Sequence, residues 1–235
     1  MQDMIKLSKM DQFIYDTKIA KCNECTSINN CTQDAIGVKP YIIVKNGVEK
    51  LIAELCDKIP TKIYGSYEKT IREQNCSILS TYQRSIANEL YKLKNGYLCG
   101  EAGHGKTTIL KCLVKKYSER RITTCFELAI NITNNIKDFD NKEVTIESYQ
   151  QMPMLFIDDF ARELLTAWTI SQVWIPIIQY RVDNGLPTFI SSNYTIKQLH
   201  KLIAELRDIT TADMLMDRIK KHMPIKEIKE KNYRL

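Results

Sequence analysis

Glycine and proline are scarce in this chain, eight and six among 235 residues, which excludes collagen-like and low-complexity architectures. Long apolar runs are missing too. The longest is about Met152 to Ile157, far short of the ~18 residues a membrane span requires. The start, Met1-Gln2-Asp3-Met4-Ile5-Lys6, has no apolar signal core, so no membrane partner and a cytoplasmic location are expected. Arginine is absent from residues 1–60, where eight lysines face eight carboxylates. That stretch is neutral, and the whole net charge of +6 lies beyond it. Histidine occurs only at His104, His200 and His222, and no cysteine follows Cys125.

What is present suffices for a packed core: 44% of residues are apolar and 26% charged. The eight cysteines divide the chain. Cys22, Cys25, Cys31 and Cys56 cluster early, and the others are scattered at 76, 99, 112 and 125. Disulfides are disfavoured in a reducing cytosol, so the early set calls for metal, redox chemistry or burial as reduced thiols.

Met10 to Ala20 reads as a partial helix. Tyr41 to Val44 followed by Asn46-Gly47 and Val48 reads as a hairpin, and Leu51 to Cys56 as a helical turn before a boundary near Pro60. Residues 66–94 carry apolar side chains at mostly helical spacing. From Gly96 onward, short apolar runs alternate with longer helical segments, the signature of a parallel α/β sheet. Strands are expected at Tyr97–Cys99, Ile122–Ala129, Met154–Ile157, Thr188–Ser192 and Pro224–Ile228. The helices between them are expected at Gly105–Tyr117, within Asn131–Gln150, and at Leu164–Val182, Ile196–Ala204 and Asp213–Lys221. The domains are expected as 1–62, a helical linker over 63–94, and 95–235.

Gly100-Glu101-Ala102-Gly103-His104-Gly105-Lys106-Thr107 fits the phosphate-loop pattern and lies between an expected strand and an expected helix. In that setting, glycines let backbone N–H groups curl round phosphates. Lys106 reaches the β and γ phosphates of ATP, and the Thr107 hydroxyl ligates Mg²⁺. Met154-Leu155-Phe156-Ile157-Asp158-Asp159 supplies a buried strand ending in carboxylates, Asp158 for the metal and Asp159 as general base. Asn193, at the end of the Thr188–Ser192 run, suits a water-orienting amide or an ordinary strand-end turn. Arg218, within an amphipathic helical pattern, suits either a solvated charge or a contact to a neighbouring subunit's nucleotide.

Together these segments resemble the AAA+ ATPases of the bacterial helicase-loader group, DnaC and DnaI, and their relative IstB. The carriers are the phosphate loop, Phe-Ile-Asp-Asp-Phe, Leu-Pro-Thr-Phe-Ile-Ser-Ser-Asn, Met-Asp-Arg-Ile and a closing Asn232-Tyr233-Arg234, over roughly residues 66–235. The resemblance implies a Walker A motif from Gly100 through Thr108, a Walker B motif at Asp158 and Asp159, sensor 1 at Asn193 and an arginine finger at Arg218 acting across a subunit interface. Arg234 matches the arginine of the group's terminal Ser-Tyr-Arg, with Asn232 replacing Ser, and would touch nucleotide.

The early cysteines resemble the zinc-binding N-terminal domain of the DnaI type. Where that type commonly carries His-Pro after the third cysteine, this chain has Lys39-Pro40, so an all-thiolate Zn²⁺ site of Cys22, Cys25, Cys31 and Cys56 is expected. The implied activity is ATP hydrolysis by a self-associating loader that places a DnaB-type replicative helicase on single-stranded DNA. The alternatives are an IstB-like ATPase assisting a transposase, and a helicase-binding inhibitor with a vestigial ATPase. From residue 215 onward, seven cations face three carboxylates, which suits DNA or a solvated face.

Overall fold

The computed structural model describes residues 38–45, 48–55, 63–65, 68–119, 124–137, 145–162 and 165–229. The Met10–Ala20 helix, all four early cysteines and Arg234 lie outside the described residues. The chain divides into two units, Met1–Thr61 and Lys62–Leu235.

In the first unit, β1 (Val38–Lys45) and β2 (Val48–Leu55) pair antiparallel, with Lys45 opposite Val48 and Val38 opposite Leu55, as the hairpin reading expected. The helical turn expected at Leu51–Cys56 is corrected: Leu51 to Leu55 continue β2, with Leu51 opposite Ile42. The β-branched Ile42-Ile43-Val44 run offers a pairing edge, and that pairing prevails over the weak local preference of five residues.

The second unit contains a six-stranded, wholly parallel sheet. Its strands are β3 (Ile63–Tyr64), β4 (Gly96–Cys99), β5 (Thr124–Leu128), β6 (Leu155–Phe160), β7 (Thr188–Ser192) and β8 (Ile225–Glu227), in spatial order β3-β5-β6-β7-β4-β8. Before β4 come α1 (Glu68–Arg72) and α2 (Thr81–Leu93), the latter begun by a capping box between Ser80 and Gln83. After β4, α3 runs over Lys106–Glu119. The region between β5 and β6 holds two helices, α4 (Ala129–Lys137) and α5 (Ile146–Gln150). The helix α6 covers Ala167–Thr169, passes through a π turn at Ile170–Trp174 and continues over Ile175–Asp183. Two last helices, α7 (Ile196–Leu206) and α8 (Ile209–His222), precede β8.

Several boundaries differ from the sequence reading. Ala129 belongs to α4 rather than to β5, and α8 starts at Ile209, four residues early, because Asp208 caps it by accepting from the Thr211 N–H. The strand β6 runs on through Phe160, so Asp158 and Asp159 sit inside it rather than after its end. The short β3 has only two residues and carries no periodicity to read.

The four inner strands β4, β5, β6 and β7 are buried on both faces, as parallel sheets are. Tyr97, Leu155, Ile157 and Ile190 pack with α4, α6, α7 and α8, whereas Leu98, Phe126, Phe156 and Phe189 pack with α2 and α3. On the second face Phe156 and Phe189 stack with centroids 4.6 Å apart. Arg181 on α6 is fully buried. Its guanidinium donates to the Thr188 hydroxyl and to the carbonyls of Tyr149, Gln150, Met152 and Pro187, tying α5, α6 and β7 together. Burial presses its pKa down to about 9, still above neutrality, and the five acceptors favour the charged form.

The strand order positions the site. From β4 the chain crosses out to β5, returns through β6 and β7, and then places β8 on the other side of β4. The crevice at the carboxyl ends of β4, β7 and β6 is therefore where a ligand meets residues from three strands.

Candidate nucleotide site

The loop between β4 and α3 is shaped by backbone geometry that only glycine meets easily. Gly100 has φ +144°, and a Cβ there would lie 2.5 Å from the Ile228 carbonyl oxygen. Gly105 has φ +84°, and its Cβ would meet the Gln83 side chain at 2.5 Å. Two contacts brace the loop from outside. Gln83 Nε2 donates to the His104 carbonyl (3.1 Å), and His104 Nδ1–H donates to the Ile228 carbonyl (2.9 Å).

Lys106 opens α3 and is buried. Its Nζ donates to the carbonyls of Gly100 and Glu101 and to Asn193 Oδ1, each at 2.8 Å. Thr107 Oγ1 donates to Asp158 Oδ1 at 3.2 Å, and the Ser191 hydroxyl donates to the same oxygen. Burial raises the Asp158 pKa, and the charge of Asp159 adds to the shift. A buried carboxylate beside a threonine hydroxyl is a donor set short of positive charge, which suits Mg²⁺ with its preference for hard oxygens.

Asp159 faces differently because β6 bulges. The register with β7 shifts between Ile157 and Phe160, and Asp159 takes φ +54°. Its N–H donates to Ser191 Oγ (3.1 Å), while the Ser192 hydroxyl donates to the Phe160 carbonyl (2.7 Å). The bulge turns the Asp159 carboxylate toward the cavity, where Arg162 Nη1 donates to its Oδ2 at 2.7 Å. The cavity has a volume of about 340 Å³. Its lining includes Gly103, Gly105, Lys106, Thr107, Thr108, Asp159 and Asn193.

The structure thus brings the Gly100–Thr108 loop, Asp158, Asp159 and Asn193 together. Arg218 stands apart, on α8, with its Nη1 donating to the Met214 carbonyl at 3.1 Å. Four further side chains reach this site without having been singled out by sequence: Gln83, Ser191, Arg162 and Ile78, the last being 59% exposed at the cavity wall. The Ser80-x-x-Gln83 spacing is a capping signal the sequence reading did not use, and it gives no sign that Gln83 also reaches the loop. Among the described residues no cluster of three or more His, Cys, Asp or Glu is arranged to hold a metal ion. Also among the described residues, no helix is long and apolar enough to cross a membrane.

No family model matches the chain. The replicative helicase loader DnaI of Bacillus subtilis is 25% identical to it over 228 residues, covering 84% of this chain and 72% of that protein. The chain is a homologue of the DnaI helicase loader. The crystal structure of a DnaI matches with a TM-score of 0.61 and 22% identity, covering 72% of this chain and 96% of that one. The AMPPCP-bound DnaA of Aquifex aeolicus matches with a TM-score of 0.52 and 16% identity, covering 69% of this chain and 52% of that one. The fold of this DnaI homologue is accordingly the one these two structures share, an α/β architecture with the parallel sheet between layers of helices.

Proposed function

We propose that this DnaI homologue is an ATP-dependent loader of a DnaB-type replicative helicase onto single-stranded DNA. The observation that carries the reading is the convergence of Lys106, Thr107, Asp159 and Asn193 on one cavity, with Asp158 bonded to Thr107, in a chain homologous to a helicase loader. The reaction is hydrolysis of ATP to ADP and phosphate.

In this reading the amides of Gly103 and Gly105 and the head of α3 receive the phosphates, and Lys106 exchanges its carbonyl partners for β and γ phosphate oxygens. Thr107 and Asp158 would hold Mg²⁺, which neutralises charge building on the phosphate oxygens. Asp159 accepts the proton of the attacking water, and Asn193 orients that water from the end of β7. Arg218 is not among the residues lining its own cavity, and the proposal places it at the γ-phosphate of an adjoining copy, so turnover requires self-association. Arg234 is assigned a nucleotide contact on the sequence match alone.

Residues 1–62 are proposed to be the zinc-binding part that docks the helicase, with Cys22, Cys25, Cys31 and Cys56 as ligands. Residues 63–94, expected as a linker, give β3, α1 and α2 to the unit Lys62–Leu235, so the proposed ATPase region begins there, and its excess of cations meets DNA. Native mass spectrometry of the full chain with ATP and a DnaB-type helicase tests the reading. A complex holding helicase, nucleotide and zinc is expected, and a chain that binds no helicase in ATP would refute the loader role.

A further inference from the structure

Two cations line the nucleotide cavity, Lys106 and Arg162, and each is held by a group to which the hydrolysis reading assigns the attacking water. Lys106 Nζ donates to Asn193 Oδ1 at 2.8 Å, and Arg162 Nη1 donates to Asp159 Oδ2 at 2.7 Å. As the chain stands, both water-handling groups are engaged by cations that phosphate would claim.

We propose that Arg162 is a recognition residue for the terminal phosphate: it rests on Asp159 in the nucleotide-free chain and turns to the γ-phosphate when ATP binds, releasing Asp159. The proposal rests on the ATPase reading above.

The turn that carries Arg162 is fixed by backbone hydrogen bonds, while its side chain is exposed and has the Asp159 ion pair as its contact in the cavity. The Arg162 N–H donates to the Asp159 carbonyl at 3.1 Å, and Asp159 and Ala161 take φ values of +54° and +66°. Two hydroxyls of β7 pin the backbone beneath it, Ser191 at the Asp159 N–H and Ser192 at the Phe160 carbonyl. The Arg162 side chain is 67% exposed and that of Asp159 23%. An ion pair so open to water is weak and is given up at little cost.

The competitor is stronger. A terminal phosphate carries more charge than a carboxylate and presents several oxygens to the planar guanidinium fork, which pairs with phosphate through two parallel hydrogen bonds. ADP ends at its β-phosphate and places nothing at the γ position, so with ADP Arg162 stays on Asp159. Arg162 therefore favours the triphosphate over the diphosphate. Arrival of the triphosphate frees Asp159 and, through Lys106, loosens the hold on Asn193 at the same time.

The test measures Mg²⁺-dependent affinities for ATP and for ADP in the full chain, in Arg162→Gln and in Arg162→Lys. The loss of one charge-assisted contact should weaken ATP binding by about tenfold in Arg162→Gln, with ADP affinity changed by less than about twofold. Arg162→Lys, which keeps the charge, should retain part of the preference for ATP. An equal loss for both nucleotides, or ATP affinity unchanged or improved in Arg162→Gln, overturns the proposal. Absence of ATP binding in the unsubstituted chain would instead remove the ATPase reading, so the two failures are distinguishable.

Discussion

Lys106 and Asn193, eighty-seven residues apart, meet through a 2.8 Å hydrogen bond from Nζ to Oδ1. The contact exists because β4 and β7 are parallel neighbours, with Cys99 opposite Ser192, so the residues that follow each strand emerge at the same end of the sheet. It links the residue proposed to grip phosphate to the residue proposed to place water.

Substitution at either water-handling residue should therefore separate binding from chemistry. Asn193→Ala and Asp159→Asn are each expected to lower the rate of ATP hydrolysis on the order of a hundredfold while leaving ATP binding in place. Parallel measurement of turnover and of nucleotide affinity checks this.

Arg218 should act in another copy's site. Arg218→Ala is expected to bind ATP normally and to lose about a thousandfold in hydrolysis. Mixing it with Lys106→Ala distinguishes a contact across subunits from a local role. The first protein supplies an intact cradle and the second an intact Arg218, so the mixture should hydrolyse ATP faster than either alone. A mixture as inactive as its components would place Arg218 outside the reaction.

Arg181 should matter to stability and not to chemistry. Arg181→Met removes the donors to four carbonyls, two buried (Tyr149 and Pro187) and two partly buried (Gln150 and Met152), and each buried group left unmade costs about 1–3 kcal/mol. A loss of at least about 3 kcal/mol is expected in denaturant unfolding. Because Arg181 does not line the cavity, the folded fraction should bind ATP with unchanged affinity.

The early cysteines give a direct elemental prediction. The purified full chain should carry one zinc, and replacement of Cys22 and Cys25 by serine should remove it, with loss of helicase binding but not of ATP binding. Zinc-free protein that still binds helicase would contradict the assignment.

Much of the unit Lys62–Leu235 was legible from its residues because local pattern and global fold agree there. The Gly100–Thr107 loop has one workable geometry, and the Phe156–Asp158 run is both a buried strand and the base of the site. What escaped reading was set by long-range packing. The bulge that turns Asp159 toward the cavity depends on hydroxyls from β7, thirty-odd residues away. Gln83 reaches the loop only because α2 packs against α3 on one face of the sheet. In β2, five residues compatible with a helical turn were drawn into a strand by their partner in β1.

Calorimetric titration of the full chain with ATP and Mg²⁺ tests the proposed phosphate cradle most directly. The unsubstituted protein should bind ATP and Lys106→Ala, correctly folded by circular dichroism, should show no measurable heat of binding. Equal affinity in the two proteins would contradict the account.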